Sequence, residues 1–421
     1  MMSKKSETEK KDKKIENQSL FSKDNVNMKH QSEFDYLKTY GLFLMQFVHV
    51  YENFSYGYFR DIIDYFGCFL IGAGGFMMLM GIGMKYSRHK EIKNYIDRGI
   101  SLLTMGQLLN LFRNCLPNLI VYWTSGNKIY LSRAMQIFQT DILTFAGIAF
   151  LIFALIKKIK LSDNSIFIIS IIMNFVGYGF YKMMKPPKDI FLSIILGFFI
   201  LTDSESFFPL CSNFIFVGFG YFLGGIYQKI SDKNKFYNLV LIICFPIAFI
   251  YYFLRSRFIF PILPEYYSNE HYCLIFGPDA FACCLSNLIY LAIFYKIDKF
   301  LKGKTPEFVT YYGKKFNQYY MICSLLIEPT YTFLSATKGE EYPSKMKYPT
   351  LFASFVLILS RMIIDINDKY IHFTIINLNV PKRNIVFALI WIASIISGIY
   401  IYQRVEVNAT IWNNYLRKDV E

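Results

Sequence analysis

The stretch FDYLKTYGLFLMQFVHVYENF, residues 34–54, has the length of a membrane-spanning helix but contains Asp35, Lys38, His49 and Glu52. Eleven residues advance an α-helix by three turns, so Lys38 and His49 share one face and lie about 16 Å apart. Asp35 precedes Lys38 by one turn, and Glu52 follows His49 by one turn. Because ionisable groups that face acyl chains cost several kcal/mol, this face of the helix must contact protein or water.

Composition extends this interpretation to the whole chain of 421 residues, of which 54% are hydrophobic, 19% aromatic and only 18% charged. Apolar runs of membrane-spanning length recur between short polar loops. The sequence therefore predicts an all-α polytopic integral membrane protein, a bundle of about 10–12 transmembrane helices. The predicted spans are 36–54, 61–84, 99–121, 139–157, 165–181, 189–203, 208–228, 237–254, 275–296, 309–334, 350–365 and 384–402.

The polar ends and the basic loops define the predicted organisation. Residues 1–32 are polar and are expected to form a disordered cytoplasmic tail, followed by a multi-pass domain over 33–405 and a C-terminal tail over 406–421. Loops 85–98 and 157–164 are rich in Lys and Arg, which places them in the cytoplasm. We therefore expect a multi-pass protein of the cell membrane with a cytoplasmic N-terminus.

The segment 165–228 contains three predicted helical pieces. Keeping the later basic loops in the cytoplasm requires an odd number of crossings there, so one piece should not cross. The 189–203 run is the shortest of the three and is the candidate for a half-buried or re-entrant piece.

Two classes of function are disfavoured by charge and by cysteine spacing. The net charge of +14 is explained by basic cytoplasmic loops, and no nucleic-acid partner is expected. Most of the eight cysteines lie inside apolar runs and no CxxC pair is present, so no disulfide framework, zinc site or other metal is expected.

Lys38 and His49, with ten residues between them and Asp35 three residues earlier, resemble the first span of the type 3 membrane acyltransferases and their heparan-α-glucosaminide N-acetyltransferase-like relatives. Residues 69–89 and 95–110 resemble the second and third spans of those relatives. Ser101 stands where the type 3 family has a second arginine after Arg98, which favours the N-acetyltransferase-like branch. Cys323 replaces the late histidine of the family, so no role is carried over to that position.

The resemblance implies an acyltransferase, an O- or N-acetyltransferase that uses acetyl-CoA as acyl donor. The implied acceptor is a hydroxyl or amine of a cell-surface glycan or a lipid-linked carbohydrate, as in polysaccharide modification. Besides the lipid bilayer and this acceptor, a second copy of the chain in a homodimer is a candidate partner.

Within this reading, His49 is the candidate general base or nucleophile and Glu52 its orienting partner. Lys38, Arg98 and Asp35 are the candidate acyl-donor residues at the cytoplasmic mouth, where cations meet phosphates. Each residue also has a possible structural role. The Lys38 ammonium would extend to the lipid headgroups, and Glu52 would lie in solvent at the end of the helix.

Four further residues are candidates for acceptor binding. Asp141 begins a span, where an N-cap role competes with a functional one. Arg113 ends the third span, where its alternative role is to anchor the helix end at the membrane interface. His271 and Asp279 flank a Tyr-rich outer loop, and a surface-loop role competes for each.

Two other classes of function remain open at this point. A transporter or flippase for a glycan or small solute would use the Lys38/His49 track for proton coupling, although such proteins are expected to show paired broken helices. A non-enzymatic membrane scaffold would leave the polar face of the first span unexplained.

Overall fold

A computed structural model of the chain describes residues 19–55, 72–183, 190–200, 207–254, 277–339, 343, 346–371 and 380–404. Helices dominate these residues, and no named strand occurs among them. The helices are α1 Ser32–Phe54, α2 Gly72–Tyr86, α3 Ile92–Asn110, α4 Leu116–Ser125, α5 Lys128–Ala134, α6 Ile142–Ile159, α7 Asp163–Met183, α8 Ile190–Gly197, α9 Leu210–Lys229, α10 Lys233–Leu254, α11 Gly277–Phe300, α12 Glu307–Lys338, α13 Pro349–Ile366 and α14 Val380–Arg404.

The predicted all-α polytopic class is confirmed. Among the described residues, seven helices are long and apolar enough to cross a membrane: α6, α7, α9, α10, α11, α13 and α14. α1 and α12 are longer than most of these but carry charged residues at intervals. α8, the described helix within the predicted 189–203 run, has eight residues and a length of about 12 Å.

The helices fall into central and peripheral groups. In the apolar windows of α9 and α11, 78% and 67% of residues are buried, against 17% in α10 and 28% in α14. Exposed apolar side chains on the peripheral helices, such as Ile242 and Phe249, then face lipid. The interior of the bundle is built around α9, α11 and α6.

Glycines allow the closest helix contacts in this core. α2 packs along α9, and a Cβ atom at Gly220 would overlap the carbonyl oxygen of Met78, while one at Gly81 would overlap that of Val217. Membrane helices associate through such small residues because lipid gives them little hydrophobic drive to pack.

Residues 19–31 extend the packed part of the chain beyond the predicted domain boundary at residue 33. Phe21 forms an antiparallel bridge with Ile230, and Asn27 donates its backbone N–H to the carbonyl oxygen of Gln228 at 3.0 Å. The chain then enters α1 beside a buried carboxylate, Glu33, which accepts hydrogen bonds from Tyr237 at 2.8 Å and Lys233 at 2.7 Å. These contacts anchor the start of α1 to α10. Residues 1–18 and the predicted tail over 406–421 lie outside the described residues.

α1 is surrounded by α2, α11, α12 and α13. A five-residue π-helical turn, Leu111–Cys115, joins α3 to α4 and packs against α12. An extra residue in a helical turn turns the side chains that follow toward a new direction, and such turns are frequent at functional sites. α12 packs along α1, with Val309 beside Thr39 and Glu328 beside Asn53 near the Phe54 end.

Candidate active site

His49 and Glu52 form a contact one turn apart on α1. Nδ1 of His49 lies 3.3 Å from Oε2 of Glu52, and the two side chains are 34% and 20% exposed. A carboxylate accepts hydrogen bonds only, so the Nδ1 atom of the ring carries the proton and Nε2 of neutral His49 has a free lone pair. The pair predicted from spacing is therefore present, with a free basic nitrogen on the side away from Glu52.

A second carboxylate approaches this pair from α12. Asn53 donates its amide to the carbonyl oxygen of His49 at 2.9 Å and to Oε1 of Glu328 at 3.3 Å. Glu328 and Arg113 both interact electrostatically with His49. Glu328 precedes Pro329, which has no N–H to donate to the carbonyl of Leu325 and so interrupts the helical ladder of α12 beside the site.

Arg113 lies on the π-helical turn and is 9% exposed. Its Nη2 atom donates to Oδ1 of Asn110 at 2.8 Å and to Oε1 of Gln139 at 3.3 Å, and it lies 4.0 Å from Oδ2 of Asp141. Its Nε atom is buried and has no hydrogen-bond partner in the structure. One edge of the guanidinium is held in place, and the other has an unused donor.

Asp141 is the N-cap of α6 and also contacts the Arg113 cluster. Its Oδ1 atom accepts from the backbone N–H of Thr144 at 2.9 Å, which makes Asp141 the N-cap of α6. Its Oδ2 atom accepts from the hydroxyl of Tyr320 at 3.4 Å and faces Arg113. The side chain is 2% exposed, so this carboxylate links the start of α6 to the Arg113 cluster.

A stripe of amides on α3 and the π-helical turn supports Arg113. Gln107 and Asn110 donate to the carbonyl oxygens of Ile137 at 2.9 Å and Gln139 at 2.7 Å, and Asn114 donates to Oε1 of Gln139 at 3.2 Å. This stripe, Glu328 and Tyr320 were not among the residues predicted from the sequence. Polar residues at intervals of three and four within an apolar span were a signal that could have revealed the stripe.

Two of the three predicted donor residues, Asp35 and Lys38, lie toward the Ser32 end of α1. Asp35 is 3% exposed; its Oδ2 atom lies 2.9 Å from Nε2 of His30 and its Oδ1 atom 3.6 Å from Nζ of Lys38. Lys38 itself is 36% exposed. Because α1 is continuous from residue 32 to residue 54, Lys38 and His49 share one face, with about 16 Å between them along the axis.

The other predicted residues lie at different helix interfaces. Arg98 is exposed on α3, with its guanidinium 5.3 Å from the ring centroid of Phe150 on α6. Asp279 on α11 accepts from the hydroxyl of Tyr251 on α10 at 2.6 Å. His271 lies outside the described residues. The structure thus groups His49, Glu52, Arg113 and Asp141, pairs Lys38 with Asp35, and places Arg98 and Asp279 elsewhere.

Comparison with known proteins gives one family match. The model of the family described as "Heparan-alpha-glucosaminide N-acetyltransferase, catalytic" matches residues 31–252, just over half of the chain. The match begins one residue before α1 and includes His49, Glu52, Arg113 and Asp141. No curated protein and no solved structure matches the chain.

Proposed function

Since the chain belongs to the heparan-alpha-glucosaminide N-acetyltransferase catalytic family and is a membrane-embedded acyltransferase, we propose that it moves an acetyl group from acetyl-CoA to a carbohydrate. The reacting acceptor group is a hydroxyl or an amine of a cell-surface glycan or lipid-linked carbohydrate. The single observation that carries the proposal is the His49–Glu52 pair, which supplies a base within a polar, partly buried site.

In this reaction, Nε2 of His49 accepts the proton of the acceptor O–H or N–H as the acceptor atom attacks the thioester carbonyl. A new C–O or C–N bond forms and the C–S bond breaks. The departing thiolate takes the proton from the imidazolium, which returns His49 to its neutral form and releases CoA as a thiol. Glu52 keeps the proton of the ring on Nδ1 and stabilises the positive charge that the ring carries between the two transfers.

Arg113 supplies the positive charge that the attacked carbonyl needs. Negative charge develops on the carbonyl oxygen as the tetrahedral species forms, and fixed donors near that oxygen stabilise it. Arg113 is held on one edge by Asn110 and Gln139, and its buried Nε atom has an unused N–H. Because the guanidinium is already held in position, little free energy is needed to reorient it during the reaction.

The charge of the cluster constrains the acceptor. Three carboxylates, those of Glu52, Glu328 and Asp141, surround the site together with one guanidinium, that of Arg113. Like charges in a partly buried site repel strongly. We therefore expect a neutral sugar hydroxyl or an amine at the reacting position, and exclusion of acceptors with a carboxylate or sulfate beside it.

The acyl donor is assigned to the Ser32 end of α1, where we place the cytoplasm. Lys38 offers a charge-assisted hydrogen bond to the phosphates of acetyl-CoA. The basic loop over 85–98 offers further cations, although Arg98 at its end packs against Phe150 at a different helix interface. The thioester then reaches toward His49 along the shared face of α1.

The test is a transfer assay on the purified full chain with radiolabelled acetyl-CoA and a panel of amino sugars, neutral sugars and lipid-linked sugars. We expect label in at least one neutral or amine-bearing acceptor and none in carboxylated or sulfated analogues. Absence of both acetyl-CoA binding and transfer across this panel would refute the proposed donor.

The same assay separates two forms of the mechanism. Incubation with acetyl-CoA alone, followed by mass spectrometry of the peptide containing His49, detects an acetyl-imidazole if His49 attacks the thioester itself. An unmodified peptide together with transfer to acceptor indicates direct attack by the acceptor with His49 as base.

A further inference from the structure

Gln46 on α1 has a fully buried side chain in which both polar atoms are unused. Its exposure is 0%, and neither Nε2 nor Oε1 has a hydrogen-bond partner in the structure. Buried side-chain amides are almost always paired, so one with two empty atoms requires a specific explanation. Neither the proposed base nor the guanidinium cluster accounts for it.

The position of Gln46 directs it into the bundle. Leu42 and Val50, one turn before and after it, both belong to a buried cluster with Tyr319 and Cys323 of α12. Asn53, two turns further on and on the same face, reaches Glu328 of α12. The Gln46 amide therefore lies between α1 and α12 rather than facing lipid.

Gln46 also lies next to the reacting groups along the helix axis. It precedes His49 by three residues, an axial rise of about 4.5 Å. It lies on the side of His49 toward Lys38, so along the helix axis it is between the two residues assigned to the donor and to the reaction. Arg113, which interacts electrostatically with His49, also has a buried N–H without a hydrogen-bond partner.

We propose that Gln46 binds the amide of the pantetheine arm nearest the thioester, an inference that rests on acetyl-CoA being the donor. That amide has one acceptor and one donor, the complement of a carboxamide whose Nε2 and Oε1 are both unused. Two methylene groups separate its nitrogen from the sulfur, a span of about 4 Å, which matches the rise from Gln46 to His49. Gln46 then positions the thioester carbonyl beside Nε2 of His49.

The first experiment measures equilibrium binding of CoA to the full-length protein and to Gln46→Leu. We expect CoA affinity to fall about 10- to 100-fold in Gln46→Leu, as for loss of two hydrogen bonds. Gln318→Leu is the matched control, because Gln318 lies on α12, is half-buried and has an unpartnered Oε1 atom. Its CoA affinity should equal that of the unmodified protein.

The outcomes separate this inference from the proposed function. CoA binding by the unmodified protein with no change in Gln46→Leu overturns the role of Gln46 alone. No CoA binding by the unmodified protein overturns the donor and this inference together. An unchanged CoA affinity with a raised KM for the sugar acceptor assigns the amide to the acceptor and also overturns the inference.

The second experiment tests whether the Gln46 amide only stabilises the fold. A leucine or methionine in place of an unpaired buried amide removes an unsatisfied group, so Gln46→Leu and Gln46→Met should keep or raise the Tm of the ligand-free protein. A lower Tm in both variants, with CoA affinity unchanged in the folded fraction, would show that the amide serves the fold.

A third experiment compares two small thioester donors. The unmodified protein should prefer N,S-diacetylcysteamine to S-butyl thioacetate, which lacks the amide, and Gln46→Leu should lose this preference.

Discussion

Two acid–base pairs with the same spacing lie at opposite ends of α1 and differ in what surrounds them. Asp35 is almost fully buried and is engaged by His30 and Lys38, both close to it in the chain. Glu52 and His49 are partly exposed and meet Glu328 and Arg113, which come from distant segments. The first pair has a carboxylate whose two partners, His30 and Lys38, come from the same stretch of chain, whereas the second has a histidine placed among groups from three elements. Equal spacing along a helix therefore yields an anchored carboxylate at one end and a candidate base at the other.

The largest expected effect comes from removing the base. His49→Gln should lower kcat for acetyl transfer by about 10²- to 10⁴-fold, because proton transfer by a positioned side chain contributes that much. The measurement is steady-state transfer of label from acetyl-CoA, with Tm to show that the fold is retained. Transfer at the rate of the unmodified protein would show that His49 is not the base and that the two pairs do not differ in function.

Removing the Arg113 guanidinium tests whether the groups that other helices bring to His49 matter for the reaction. Arg113→Met should lower kcat by about 10²- to 10³-fold, the usual cost of losing one fixed donor to a developing oxyanion. Arg133→Met is the matched control, since Arg133 lies on α5 against the ring of Tyr130. A similar loss in both variants would show a general effect of removing an arginine from this region.

Exchanging carboxylates for amides compares the pairs directly. Glu52→Gln should lower kcat by about 10- to 100-fold, less than loss of the base itself, because the amide keeps the shape but loses the charge that stabilises the imidazolium. Asp35→Asn should leave kcat nearly unchanged and instead lower the free energy of unfolding by about 1–3 kcal/mol, since the buried Asp35 carboxylate contacts both the His30 ring and the Lys38 ammonium. Equal effects of the two substitutions on kcat would contradict the comparison.

The smallest effect is expected at Lys38. Lys38→Ala should raise the KM for acetyl-CoA about 3- to 10-fold with kcat unchanged, because a partly exposed ammonium is screened by water and salt. The effect should shrink as salt is added. A fall in kcat without a change in KM would place Lys38 in the chemical step.

The helices and the spacing of the polar residues on α1 could be read from the sequence because both are local properties. Apolar runs of sufficient length imply helices in lipid, where each backbone group must find its partner within the segment. The i,i+3 contact of His49 with Glu52 follows from the same geometry. The family resemblance was carried by Lys38 and His49, and the family match over residues 31–252 confirms it.

The partners of His49 could not be read in this way. Glu328 lies almost 280 residues later in the chain, and it meets α1 only because α12 packs along it. The π-helical turn at Leu111–Cys115 changes the direction of Arg113 by an amount that an ideal helical period does not predict. Asp141 reads equally well as an N-cap until its second oxygen is seen facing Arg113 and Tyr320.

The sequence by itself determined that this is a helical membrane protein and that one of its helices has basic and acidic residues at whole-turn intervals. Only the tertiary structure decided that His49 is the residue among them that meets a second carboxylate and a buried guanidinium. The physical reason is the separation along the chain. A helical hydrogen bond joins residues four apart, whereas the faces that meet between helices depend on how the whole bundle packs.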